Sequence, residues 1–242
     1  MIKIKNLIII SIKKIYIFFK IYLIFPNIIF PNDLFNQFVN YKKIIQKKKL
    51  YNFKNIIDIG ANSGNWSILF QSLYTNCNFF LIEADVKHKK KINIISNLFH
   101  IGLLDKSKFT KNFYIYKAFN GTGSSIYKER SKHKYITKKM RTVTLDQILK
   151  KKFHKNKYDL IKLDTQGSEL NILKGASDTL KKTKYIITEI QIKNYNINSP
   201  DHKKLNNYLK KKGFKKVQNL YSHIINDELA QSDILYENLN IN

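Results

Sequence analysis

The chain of 242 residues is 43% hydrophobic and 25% charged, and 44 lysines and arginines against 17 acids give it a net charge of +27. Its length suits one sizeable domain with an apolar fraction sufficient for a core, which excludes wholesale disorder. Cys77 has no partner cysteine and only three prolines occur, which excludes a disulfide-stapled scaffold and a Pro-rich or collagen-like filament.

The charge is lysine charge. Only Arg130 and Arg141 are arginines, and Lys, Ile, Asn, Phe and Tyr, the residues of A/T-rich codons, make up more than half the chain. A dedicated nucleic-acid surface uses arginine for bidentate contacts to bases and phosphates. Compositional bias therefore explains much of the lysine, although the positive field still attracts acidic partners.

Residues 1–31 are mostly Ile, Leu, Phe and Tyr, interrupted by Lys3, Lys5, Lys13, Lys14 and Lys20 and punctuated by Pro26 and Pro31. Their longest uncharged stretch, Ile21–Asn32, is shorter than the roughly 20 residues a spanning helix needs. Lys13, Lys14 and Lys20 share one side of a helix. That pattern fits a helix lying on an anionic membrane surface, or one packed on the protein or on a dimer partner. A lysine-free core and a small-residue cleavage site, which a signal peptide needs, are both missing. The expected organisation is a basic-hydrophobic helical extension over residues 1–50 and a catalytic domain over 51–242.

The apolar run Phe53–Gly60 predicts a strand ending in Asp58 and Gly60. Helical spacing follows through Trp66, Leu69, Phe70 and Leu73, and Cys77–Glu83 is a second strand with an acid at its tip. In this strand–turn–helix–strand unit, Gly60 and Gly64 let the backbone approach a ligand, and the next helix begins with free N–H groups. The run from Gly60, G-A-N-S-G, lacks the three-glycine spacing of a pyrophosphate site. An adenosine ligand without pyrophosphate fits better, and S-adenosylmethionine is one. Glu83 would accept from the ribose hydroxyls, and Asp58 with the Gly60–Gly64 backbone would face the methionine part. A structural turn capped by Asp58 is the other reading.

A third strand is expected around His100–Leu104, then hairpin material in Phe113–Ala118 and Tyr135–Val143. Between them, Phe119–Ser125 carries glycines and hydroxyls and predicts a loop over the pocket mouth, or an ordinary hairpin turn. Thr144–Leu149 begins a hydroxyl-capped helix. Leu160–Asp164 is a buried strand, Gly167–Leu180 a helix, and Lys184–Glu189 another strand. Residues 201–213 form a helix, and Phe214–Tyr221 with Ile234–Tyr236 close the sheet as an antiparallel pair. In a parallel sheet the strand ends share one rim, so Asp58, Glu83, Asp164 and Glu189 should collect there.

The segments IIDIGANSGNWS, LIEAD, GLLD, GSSIYKE, VTLDQIL, YDLIKLDTQGSELNILKGA and YIITEI resemble the FkbM-type methyltransferases, which use S-adenosylmethionine and largely methylate hydroxyl oxygens. The resemblance runs from Asn55 to Glu189 and rests most on Tyr158–Ala176. It implies an α/β, Rossmann-like class I methyltransferase sheet with flanking helices and a hairpin-containing insertion. It also implies cofactor contacts at Asp58, Gly60, Asn62, Gly64 and Glu83, with Asp164 at the cofactor–substrate junction. The family usually continues the second-strand acid with Pro-Asn-Pro, where this chain has Ala84-Asp85-Val86.

Methyl transfer to a hydroxyl needs in-line alignment and a group to take the proton. Asp164 and Glu189 are the candidate bases, and Glu169 is either a third or the cap of its own helix. Lys162, on a buried strand, needs an acidic partner. The six histidines are scattered without ligand spacing, so no metal site is proposed, although rim acids holding magnesium are not ruled out. The expected acceptor is a sugar hydroxyl of a surface glycan or its precursor, met in the cytoplasm or at the cytoplasmic membrane face. The alternatives are an RNA methyltransferase, and a non-catalytic membrane- or nucleic-acid-binding protein on the same fold. The oligomeric state is not legible.

Overall fold

A computed structural model describes residues 32–50, 52–74, 76–117, 122–192, 195–225 and 227–241. The expectation of membrane contact through residues 1–31 lies outside the described residues, as do Ala118 at the end of the expected hairpin strand and Phe119, Asn120 and Gly121 of the predicted mouth loop.

The first half contains α1 (Asn32–Lys47), β1 (Asn55–Ile59), α2 (Asn65–Gln71), β2 (Asn78–Glu83), α3 (Lys89–Ile95), β3 (Phe99–Ile101), β4 (Leu103–Leu104), β5 (Thr110–Tyr116) and β6 (Tyr135–Val143). The second half contains α4 (Leu145–Lys152), β7 (Tyr158–Leu163), α5 (Glu169–Lys174), α6 (Ser177–Lys181), β8 (Thr183–Gln191), α7 (His202–Lys211), β9 (Phe214–Ile225) and β10 (Glu228–Asn238).

The main sheet has the order β3-β2-β1-β7-β8-β10-β9. The first five are mutually parallel, and β10 runs antiparallel to both β8 and β9. This is the Rossmann-like sheet of a class I methyltransferase, closed by the expected reversed pair. A second small sheet, β4-β6-β5, stands beside it as the hairpin-containing insertion.

Both faces of the central strands are buried, which is why they read as continuous apolar runs rather than alternating ones. On one face Ile57, Ile59, Phe80, Ile82, Ile161 and Leu163 pack with residues of α4, α5 and α7. On the other, Ile56, Leu81, Leu160, Ile187 and Leu235 meet α1 and α2. Helix α1 is anchored by Phe38 and Tyr41, whose rings meet Phe70 edge-on at 5.9 and 5.8 Å. The C-terminal third of the expected extension is therefore part of the core.

Three expected elements differ in detail. The strand around His100–Leu104 breaks at Gly102 into β3 and β4, which belong to different sheets. The helix over Gly167–Leu180 divides at Gly175, where a Cβ would lie 2.5 Å from the Asp105 carbonyl oxygen, so helix and loop can pass only because no side chain is there. Strands β9 and β10 run longer than their apolar cores because they pair with each other beyond the end of β8.

Candidate active site

Strands β1, β2 and β7 end on one rim, stitched together by backbone bonds. Gly60 and Ala61 donate to the Ile82 carbonyl, and Asp164 donates to that of Ile59. Gly60 has φ +76, and a Cβ on it would lie 1.9 Å from the Asp164 carbonyl oxygen, so the β1 and β7 turns approach as they do only because this residue is glycine. Between this rim and the Thr122–Ser125 segment lies a cleft of about 700 Å³, counting its open mouth. Gly60, Asn62, Glu83, Asp164, Gln166 and Ser125 are among its lining residues.

Glu83 stands where the sequence places it. Its Oε2 accepts from the Asn62 N–H (2.7 Å) and its Oε1 from the Asp85 N–H (2.8 Å). Burial raises its pKa above the usual carboxylate range, and these backbone donors oppose the rise. The altered turn after Glu83 is thus tied to the acid itself.

Asp58 and Lys162 are neighbours in the parallel register of β1 and β7. Asp58 is fully buried, accepts from Ser67 Oγ at 2.7 Å, and lies 3.4 Å from Lys162 Nζ. The same ammonium is 3.4 Å from Asp164 Oδ2 and 3.4 Å from the Gly60 carbonyl oxygen. Burial alone would lower the pKa of Lys162, but Asp58 and Asp164 outweigh it and hold the residue above the ordinary lysine value. Lys162 therefore has the acidic partners its position demands. Asp58 and Gly64 stand behind the cleft rather than among its lining residues. Gly64 takes φ +80 at the start of α2, with Ile95 Cδ1 2.2 Å from where its Cβ would be.

Asp164 is partly exposed, with 39% of its side chain accessible, and lines the cleft. Glu189 is half-buried one strand over, outside the cleft lining, and accepts from Gln166 Nε2 (3.1 Å) and Gln231 Nε2 (2.8 Å). Burial first, then Asp164, Asp233 and Glu169, push its pKa well above the carboxylate range, against the pull of Lys162. Glu169 Oε1 accepts from the Thr165 N–H, the Thr165 hydroxyl and the Gly167 N–H at 2.8, 3.0 and 3.3 Å. This is the arrangement of a residue that caps its own turn.

The described part of the predicted mouth loop does border the cleft. Thr122, Gly123, Ser124 and Ser125 line it, and Ser125 Oγ donates to the Gln166 carbonyl at 2.8 Å. None of the six histidines lines it. Among the described residues, no group of three or more His, Cys, Asp or Glu is placed to hold a metal ion.

Sequence reasoning missed a polar layer behind the rim. Asp233 on β10 pairs in register with Glu189 and accepts from Gln37 Nε2 (2.5 Å) and the Tyr41 hydroxyl (2.7 Å) of α1. Gln166, Tyr195 and Gln231 complete the layer. The only signal available was Asp233 itself, an acid leading into the apolar run Ile234–Tyr236.

A family model described as the methyltransferase FkbM domain matches residues 58–216. No curated protein matches the chain. Among solved structures it is similar to an O-methyltransferase from Bacillus cereus in complex with SAH, at 13% identity and TM-score 0.48, covering 87% of this chain and 82% of that one. It is also similar to the METTL16 methyltransferase domain, at 15% identity and TM-score 0.48, covering 86% and 70%. A third is precorrin-6y C5,15-methyltransferase from Geobacter metallireducens, at 12% identity and TM-score 0.43, covering 81% and 85%.

Proposed function

The chain belongs to the FkbM methyltransferase family and is an S-adenosylmethionine-dependent methyltransferase, and from this premise we propose that it methylates a sugar hydroxyl of a surface glycan or glycolipid precursor. The observation that carries the acceptor class is the chemistry of the cleft wall. Beside the Glu83 and Asp164 carboxylates, its polar lining is supplied by Thr122, Ser124, Ser125, Thr165 and Ser168 hydroxyls with Asn62 and Gln166 amides, and no lysine or arginine is among its described lining residues. A described cleft lining free of lysine and arginine suits a neutral polyol better than a phosphate backbone.

The residues present fit the cofactor. Glu83, a buried carboxylate at a strand end, keeps a lone pair on each oxygen beyond those used by Asn62 and Asp85, enough for a ribose diol. The glycine at position 60 lets the β1 turn close onto that of β7, and Gly60, Asn62 and Asp164 line the same cleft as Glu83. When bound, S-adenosylmethionine supplies a methyl group already activated by a sulfonium. The chain's part is to align the acceptor oxygen and receive its proton.

Asp164 is assigned as that base, since its carboxylate is open to the cleft. Glu189, bonded to two amides outside the cleft lining, and Glu169, bonded to its own turn, shape the site from behind. Asp58 acts through Lys162 and Ser67. Peripheral contact with an anionic membrane through the basic, apolar residues 1–31 would bring the enzyme to a membrane-assembled acceptor. Among the described residues no helix is long and apolar enough to cross a membrane.

The test is methyl transfer from labelled S-adenosylmethionine to oligosaccharide and RNA acceptors over a salt series. The proposal expects label on oligosaccharide with little salt dependence. Label on RNA, with activity falling steeply as salt rises, would replace it with the RNA reading.

A further inference from the structure

Gln166 is a non-glycine residue with φ +53, in the left-handed region that costs an L side chain energy and persists where surrounding bonds impose it. Here they do. Its main-chain carbonyl accepts from Ser125 Oγ (2.8 Å) and Asn196 Nδ2 (2.6 Å). Its amide oxygen accepts from the Tyr195 hydroxyl (3.3 Å), so its NH₂ end must face the other way. That end donates to Asp164 Oδ1 (2.9 Å) and Glu189 Oε1 (3.1 Å). Gln231 closes the ring, donating to both Tyr195 and Glu189. The Gln166 side chain thus joins Tyr195, Glu189 and Asp164 while its main chain is pinned by Ser125 and Asn196, and the one carboxylate it holds that opens onto the cleft is that of Asp164.

We propose that Gln166 is a positioning residue that fixes the Asp164 carboxylate toward the cleft, so that its negative charge is presented to a cationic cofactor. The inference rests on the cofactor reading above. An amide suits the position for a stated reason. The groups facing Asp164 are Lys162 and Asp58 from the central strands, Glu189 and Asp233 from β8 and β10, and Glu169 from α5. Lys162 is the single cation among them. A neutral donor orients Asp164 without adding charge, whereas a carboxylate at 166 would repel both of its partners.

The test compares S-adenosylmethionine, whose sulfur is cationic, with S-adenosylhomocysteine, whose sulfur is neutral, by calorimetric titration of the full chain and of Gln166→Met. Methionine keeps the length and removes the donor. The wild type should favour the cationic ligand, and in Gln166→Met that preference should shrink about fivefold while affinity for the neutral ligand stays within about twofold. A merely structural role would weaken both ligands together, and that result, or an unchanged preference, overturns the proposal.

Tyr195→Phe keeps Gln166 and removes only the hydroxyl that orients its amide. It should reduce the preference in the same direction by a smaller factor, so the idea stays falsifiable if Gln166→Met does not fold. An unchanged preference in a folded Tyr195→Phe would then overturn it. A folded wild type that binds neither ligand overturns the cofactor reading, and this inference with it, and is told apart by the missing wild-type signal.

Discussion

Asp164 and Glu189 share a single donor, the Gln166 amide nitrogen, which lies 2.9 Å from the first carboxylate and 3.1 Å from the second. Their environments differ sharply. Asp164 opens onto the cleft beside Lys162, while Glu189 is half-buried next to Asp233, outside the cleft lining, and finds its donors in two neutral amides. Burial and its acidic neighbours raise the pKa of Glu189 well above the ordinary carboxylate value.

That shift has a thermodynamic signature. Burial raises the folded pKa of Glu189, so the stability it contributes is fully present below about 4.3, the ordinary glutamate value, and is lost as pH rises through the folded value. Glu189→Gln mimics the protonated form and lacks this loss. Denaturant unfolding should find the advantage of the variant over wild type larger at about pH 8 than near the ordinary glutamate value of about 4.3. His100, held to about 4 by burial and Lys152, acts in the opposite sense: its contribution is present above the ordinary histidine value and lost as pH falls toward 4.

The two rim glycines should respond differently to alanine. At Gly60 a Cβ meets a main-chain carbonyl of the neighbouring turn, which cannot move without displacing Asp164. At Gly64 it meets the end of the Ile95 side chain, which can rotate. Both carry positive φ. Gly60→Ala should cost ~3 kcal/mol or fail to fold, and any folded fraction should lose cofactor affinity, whereas Gly64→Ala should cost ~1 kcal/mol. Equal losses by thermal unfolding would refute the close-approach argument.

Helix α1 is bound into the core, and its removal should be felt at the site. Phe38→Ala empties a buried aromatic position against Phe70 and should cost about 3–5 kcal/mol. Tyr41→Phe keeps the packing but leaves the buried Asp233 with Gln37 among its two named donors, at ~1–2 kcal/mol. Cofactor titration of Tyr41→Phe should show a measurable loss of affinity if the polar layer transmits to Asp164, and none if α1 is only a cover.

Asp164→Asn removes the charge open to the cleft while preserving shape. Turnover should fall about 100-fold or more, with modest loss of cofactor affinity. Unchanged turnover would remove Asp164 from the chemistry.

The sequence was most informative where local pattern and topology coincide. Apolar runs ending in Asp58, Glu83, Asp164 and Glu189 become strands ending on one rim, and Thr144 caps α4 by accepting from the Gln147 N–H. Pairing across strands was beyond it. Asp58 reads as a cofactor contact, and the register adds Lys162 beside it, a partner no local pattern announces. Gln166 looks like an ordinary turn residue until the fold brings Tyr195, Ser125 and Glu189 to it from 29, 41 and 23 residues away. Glu169 was readable in two ways because either role puts an acid at that position. Only the distances to Thr165 and Gly167 favour one of them.

The most direct test of the account is calorimetric titration of the full chain with S-adenosylhomocysteine, run beside Glu83→Ala. The account predicts saturable one-to-one binding by the wild type that the variant loses while remaining folded. Absence of binding by folded wild type, or equal binding by both proteins, would contradict the assignment of this cleft.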